Sequence, residues 1–228
     1  FAGVRCGIMD QFACLHGKKD FVMQLDCRSL EYSYIPFDFP GYCIVLVNTG
    51  VTHSLASGEY NIRRGQCEEG VRILQRTYSS IRSLRDVSID MLVTHREEMP
   101  ELIWKRCMYV AEENDRLLRG CDHLRQKDLV AFGKCMYASH QGLRVQYAVS
   151  CPELDFLVSE ASRIKGVAGA RMMGGGFGGC TINIVERSCL DLFMEHMAVQ
   201  FSKRFGSEPS MYVICLLYTS DAADEGLG

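Results

Sequence analysis

The sequence predicts an α+β fold, and three observations predict it. Short apolar stretches of strand length lie towards both ends of the chain, amphipathic helices gather in a block in the middle, and a glycine-dense segment at 174–179 joins two stretches of strand character. The elements follow in order. Phe12 to Leu15 complete a short opening helix that Gly17 is placed to end. Phe21–Asp26 and Glu31–Phe37 read as paired strands, the second alternating imperfectly. Tyr42–Val47 is the longest apolar run and reads as a strand apolar on both faces. Glu59 to about Leu74 is a charged amphipathic helix, and Ile103, Cys107, Val110 and Leu117 mark a helix over Leu102–Leu118. A third helix carries Leu129, Phe132, Met136 and Leu143. A fourth opens at Ser150-Cys151-Pro152-Glu153, where Ser150 can cap, Glu153 can reach back and Pro fits the first turn. Ala168–Met173, the glycines and a strand over Cys180–Val185 come next. A helix marked by Leu190, Phe193, Met194, Met197, Ala198 and Phe201 and a strand over Met211–Ile214 complete the pattern.

Composition excludes several functional classes. The chain has 228 residues, a net charge of −3, 47% hydrophobic and 23% charged side chains, which is ordinary globular composition. A near-neutral balance argues against binding nucleic acid or an anionic membrane through charge. No apolar run reaches the ~18 residues of a membrane helix, and no secretory signal opens the chain. The twelve cysteines show no CxxC and no zinc-type spacing with the six histidines. They are expected as small hydrophobes of a reduced, cytoplasmic protein, with no protein-built zinc site.

Three segments carry candidate chemistry. In Cys6-Gly7-Ile8-Met9-Asp10-Gln11-Phe12 a carboxylate follows closely on a glycine at a helix start. Asp10 there can accept or orient a hydroxyl proton; as a first-turn acid it also simply suits the helix dipole. In Ser57 to Glu68, Tyr60 offers a ring face and a hydroxyl to a sugar, while Arg63 and Arg64 can pair with Glu68 or Glu69 on an otherwise solvated helix. In Gly174-Gly175-Gly176-Phe177-Gly178-Gly179, bare backbone can approach an anion or another loop closely, or form a tight turn between strands. It is not a P-loop, because no Lys follows. His140 reads as a satisfied core or capping histidine.

The order and separation of these segments resemble the GHMP small-molecule kinase family, and within it the galactokinases. Gly7 to Gln11 looks like that family's catalytic-Asp segment, and Leu25-Asp26-Cys27-Arg28-Ser29-Leu30 like the strand that follows it. Ser57 to Glu68 is similar to its SEYNxRRxxCE segment, Ser150 to Asp155 to SCPELD, and Gly169 to Thr181 to the third family motif. The resemblance covers roughly residues 1–214. It implies a GHMP kinase-like fold: residues 1–50 end the N-terminal domain, and residues 51–214 form a ferredoxin-like C-terminal domain with added helices. It implies ATP-dependent phosphorylation of the anomeric hydroxyl of galactose, with Mg²⁺ accompanying the ATP, in a monomer. Asp10 would take or orient the hydroxyl proton and Tyr60 would hold the sugar. Gly174, Gly175, Gly176, Gly178 and Gly179 would lie near the sugar and support the phosphate-binding loop. A related kinase acting on N-acetylgalactosamine and a non-catalytic sugar sensor share these features.

The same resemblance places the family's Arg, Glu, His and Asp sugar segment, its ATP loop and its Mg²⁺ ligands upstream of Phe1, so residues 1–228 alone are expected to be inactive. Residues 215–228 break the pattern and resemble the translation of a sequencing adaptor; they are expected not to be natural chain.

Overall fold

The computed structural model describes residues 7–51 and 56–214; Cys6 and the tail at 215–228 lie outside the described residues. The chain runs α1 (Met9–His16), β1 (Phe21–Leu25), β2 (Tyr32–Pro36), β3 (Tyr42–Asn48), α2 (Ala56–Leu74), α3 (Ile89–Thr94), α4 (Glu101–Arg125), α5 (Leu129–Val145), α6 (Pro152–Ala161), β4 (Val167–Met172), β5 (Cys180–Glu186), α7 (Leu190–Phe205) and β6 (Ser210–Ile214). Single 3-10 turns at Leu84–Asp86, Arg96–Glu98 and Arg187–Cys189 link helices and strands.

Two sheets form. β1 and β2 make an antiparallel pair in which Phe21 faces Pro36 and Leu25 faces Tyr32. The four-stranded sheet is antiparallel in the order β4-β5-β3-β6, the strand order of a ferredoxin-like unit, with the helical block inserted between its first two strands. β3 pairs with β5 from Tyr42↔Glu186 to Asn48↔Cys180 and with β6 from Ile44↔Ile214 to Asn48↔Ser210, so this sheet spans the boundary expected at residue 50.

The central place of β3 explains why Tyr42–Val47 is apolar on both faces. Cys43, Val45 and Val47 pack with Leu157, Val158 and Ala161 of α6 and Phe193, Met197 and Phe201 of α7. On the other face Ile184 of β5 meets Leu129 and Met136 of α5. A separate core holds the helical block together: Val71 and Leu74 of α2, Leu92 of α3, and Cys107, Met108 and Ala111 of α4. Each fully buried aliphatic or aromatic side chain in these cores contributes about 1.5–3 kcal/mol. Among the described residues no helix is long and apolar enough to cross a membrane.

The sequence reading needs local corrections. α4 runs on to Arg125 rather than ending at Leu118, and Leu117, read as part of its apolar stripe, is exposed. α3 was not expected; Ser88 starts it by accepting from the Met91 amide at 3.2 Å. The residue capping α6 is Cys151, which makes no side-chain cap bond. Ser150 sits one residue too early, and its hydroxyl donates instead to the stronger acceptor Asp155 Oδ1 at 2.5 Å. Pro152 does occupy the first turn.

A charged clamp ties the β1–β2 hairpin to the helical block. Arg85 grips both oxygens of Asp26, at 2.9 and 2.5 Å, and Arg28 lies 2.8 Å from Asp86. The Arg85 guanidinium holds Asp26 down at about 2, and the Arg28 hydrogen bond does the same for Asp86, both from 3.8. A carboxylate depressed in the folded state stabilises it above its unfolded pKa and loses that stabilisation as pH falls through the folded one. The melting-temperature difference between wild type and Asp26→Asn is therefore expected to be full above about pH 5, to shrink as pH falls towards 2 and to vanish below that. A difference that persists undiminished at pH 2 would show that the clamp does not act through ionised Asp26.

Candidate active site

The site is built from two segments far apart in sequence that meet, with a third adjoining them. α2 carries Tyr60 in its second turn, half-buried, with the ring against the glycine loop: a Cβ placed on Gly175 would lie 3.8 Å from Tyr60 Cδ2. The glycine loop is the turn of the β4–β5 hairpin, closed by the Met173 amide donating to Cys180 O at 2.9 Å. Two neighbouring segments grip it. Phe177 N donates to Val149 O at 2.7 Å, and Gly179 N donates to Val51 O at 3.3 Å. Thr49 returns both its amide and its hydroxyl to Gly179 O, each at 2.9 Å.

Gly176 shows why glycine is required. Its φ is +87°, and a Cβ there would stand 2.1 Å from Val149 O, a backbone atom that cannot swing away. Gly174, Gly178 and Gly179 also have positive φ. The amides of Phe177 and Gly179 are thus committed to protein carbonyls. The segment acts as a packed support, not as an open anion cradle formed by all its N–H groups.

Asp10 stands in the first turn of α1, exposed. Its neighbour Met9 lines a cavity of about 390 Å³ together with Met23, Arg171, Met173 and Gly174, so the Asp10 segment and the start of the glycine loop share one cavity. On that cavity's wall Glu113 of α4 is a hub: it accepts from Ser139 and Arg116 and lies 3.6 Å from Arg171.

The SCPELD segment stabilises the far end of the loop. His140 is buried, as expected of a core histidine; its Nδ1 accepts from the Met172 amide at 3.3 Å, and its Nε2 lies 3.3 Å from Asp155 Oδ1. Burial pushes the Asp155 carboxyl up, but the hydrogen bonds from His140 and Ser150 outweigh it and leave the group below the usual carboxylate range. Met172 is the last residue of β4, so this network fixes the strand end from which the glycines start.

Arg64 pairs with Glu68 at 3.2 Å, one of the pairings expected along the helix. Arg63 does not pair with Glu68 or Glu69. It bonds Glu59 one turn earlier, at 3.1 Å, and reaches backbone carbonyls from another part of the chain. Local spacing reveals only i,i+4 partners, so those carbonyls were not legible.

The described residues contain no group of three His, Cys, Asp or Glu side chains placed to hold a metal ion.

Residues 122–188 match the protein family described as GHMP kinases C terminal. That segment is therefore similar to the C-terminal domain of the GHMP kinases. Over 93% of its length it is 41% identical to a galactokinase of Roseiflexus sp. (strain RS-1), of which it covers 54%; over 98% it is 42% identical to a Homo sapiens galactokinase, of which it covers 53%. The crystal structure of Lactococcus lactis galactokinase complexed with galactose superposes with a TM-score of 0.88 at 32% identity, covering 93% of this chain and 55% of that one. The crystal structure of L. major mevalonate kinase in complex with R-mevalonate shares the fold alone, at a TM-score of 0.51 and 17% identity. The chain spans about half the length of the curated galactokinases it matches.

Proposed function

We propose that this chain serves the ATP-dependent phosphorylation of galactose at its anomeric hydroxyl, in the cytoplasm, giving galactose 1-phosphate and ADP. The observation that carries the reading is the meeting of Tyr60 with Gly175, beside a cavity that joins Met9 to Gly174. Two segments with the residue pattern of a sugar kinase are in contact there, which supports the reading. In this reading Tyr60 offers its hydroxyl to the sugar. The C1 oxygen of galactose bonds to the terminal phosphorus of ATP, the bond to the departing ADP oxygen breaks, and the hydroxyl proton leaves. Asp10 receives that proton or orients the hydroxyl by its charge. Both roles suit a reaction that depends mainly on positioning and charge neutralisation. The glycine loop, with its amides tied to Val149 and Val51, supports the phosphate-binding region from behind.

Mg²⁺ supplies charge neutralisation on the ATP phosphates when bound, and in this reading its ligands belong to other parts of the protein. The division into residues 1–50, ending an N-terminal domain, and 51–214, forming a C-terminal one, belongs to the same proposal.

A substrate panel tests the reading on the gene product that contains this chain. Galactose is expected to yield an anomeric phosphate, seen by phosphorus NMR, with kcat/KM at least about tenfold above N-acetylgalactosamine and glucose, since one unmatched polar group at a sugar site costs about 1–3 kcal/mol. A preference for N-acetylgalactosamine would move the protein to a neighbouring sugar kinase activity.

A further inference from the structure

Three consecutive carbonyls at the C-terminal end of α5 each accept from an arginine of another helix. Arg106 of α4 donates to Gln146 O. Arg63 of α2 donates from Nε to Tyr147 O and from Nη2 to Ala148 O, both at 2.9 Å. A helix C-terminus leaves carbonyls without intrahelical partners and carries partial negative charge, so two cations there satisfy both demands. Both side chains are withdrawn from water: Arg106 is 5% exposed, and the Arg63 side chain 12%.

The next carbonyl in the same turn carries the arrangement to the site. Val149 O accepts from Phe177 N at 2.7 Å. Ala148 has φ +51° and Phe177 φ +61°, so two non-glycine residues in the left-handed region lie on either side of this hydrogen bond. Such conformations persist only where the surroundings hold them. The Arg63 guanidinium also lies 5.9 Å from the centre of the Phe177 ring. Arg63 follows Tyr60 by one turn on α2, and Tyr60 abuts Gly175. One side chain therefore touches the turn at 147–149, the glycine loop and the helix that carries Tyr60.

The geometry points to Arg63 as a positioning residue that fixes the glycine loop against Tyr60 by holding the turn at 147–149 in its left-handed shape. The inference rests on the reading of Tyr60 and the glycine loop as parts of one sugar site. The role needs a planar fork: two donors of one guanidinium meet two successive carbonyls while a third nitrogen meets Glu59. Lysine offers a single point charge and can replace this only in part.

Amide hydrogen exchange on the gene product that contains this chain tests it, comparing wild type, Arg63→Gln, Arg63→Lys and Arg72→Ala. Arg72 sits on the same helix in an exposed pair with Glu69 and touches none of these groups. In Arg63→Gln the Phe177 and Gly179 amides are expected to exchange at least about tenfold faster, reflecting two lost bonds to a charged donor. The paired amides of β3 and β5 should keep their rates, Arg63→Lys should fall between, and Arg72→Ala should match wild type. If Arg63→Gln fails to fold, Arg63→Lys gives the same local signal at smaller size. Unchanged exchange at Phe177, or an acceleration shared equally by β3 and β5, overturns the positioning role. Galactose binding measured on the same samples keeps the two readings apart: a local change in exchange with no galactose binding by wild type leaves the Arg63 clamp standing and removes the sugar site.

Discussion

Asp10→Asn is expected to cut turnover about a thousandfold while changing galactose affinity by no more than about threefold, within the range that acid–base groups contribute to catalysis. Asparagine keeps the size of the side chain and its capacity to hydrogen-bond a hydroxyl. It loses the negative charge and the ability to take a proton. A loss confined to kcat marks an interaction realised in the transition state; a loss confined to KM marks binding made equally in the ground state and the transition state. The position of Asp10 makes the test clean. It stands exposed in the first turn of an eight-residue helix that buries none of its side chains, so the substitution removes no packing. Steady-state kinetics with a parallel calorimetric titration of galactose separate the two effects. A near-normal kcat in Asp10→Asn would take this carboxylate out of the mechanism.

Gly133→Ala is expected to destabilise the fold by about 2 kcal/mol or more, against the usual direction of a glycine-to-alanine change in a helix. Alanine gains about 1 kcal/mol of helix propensity over glycine. At Gly133 that gain meets a backbone wall: the added Cβ would stand 1.7 Å from Ala168 O and 2.5 Å from Ala168 C. Gly169 mirrors it, since its own Cβ would come 2.6 Å from Gly133 Cα. α5 and β4 thus pack backbone against backbone, and neither a strand carbonyl nor a helix axis yields as a flexible side chain would. The overlap outweighs the propensity. Gly65 provides the contrast, because nothing lies within 4 Å of its Cβ position on α2. Gly65→Ala should be neutral or mildly stabilising in the same urea titration. Equal midpoints for Gly133→Ala and wild type would contradict the close packing of α5 on β4.

The fold was legible where a repeat of apolar residues decided it. β3 announced its central place by being apolar on both faces, and α5, α6 and α7 by stripes that do face the sheet. What escaped was set by partners distant in sequence. α4 continues through Gly120, where a Cβ placed on the glycine would lie 3.5 Å from the Phe132 ring. α3 carries Ile89 and Val93, which give no clear helical period, and depends on its Ser88 cap. The site shows the same division. Glycine density and an Asp after a glycine are local, and so were legible as chemistry. The grip of Val149 on Phe177 and the reach of Arg63 and Arg106 to the end of α5 are tertiary. Arg106 did leave one trace: a cation on the Ile103, Cys107 and Val110 face, which turns out to be buried.

The most direct test of the central claim is the release of ADP by the gene product that contains this chain, followed with ATP in the presence and absence of galactose. The account expects release that depends on galactose and is matched mole for mole by galactose 1-phosphate. Galactose binding with no ADP release would contradict it and would make this a sugar-binding homologue without kinase activity.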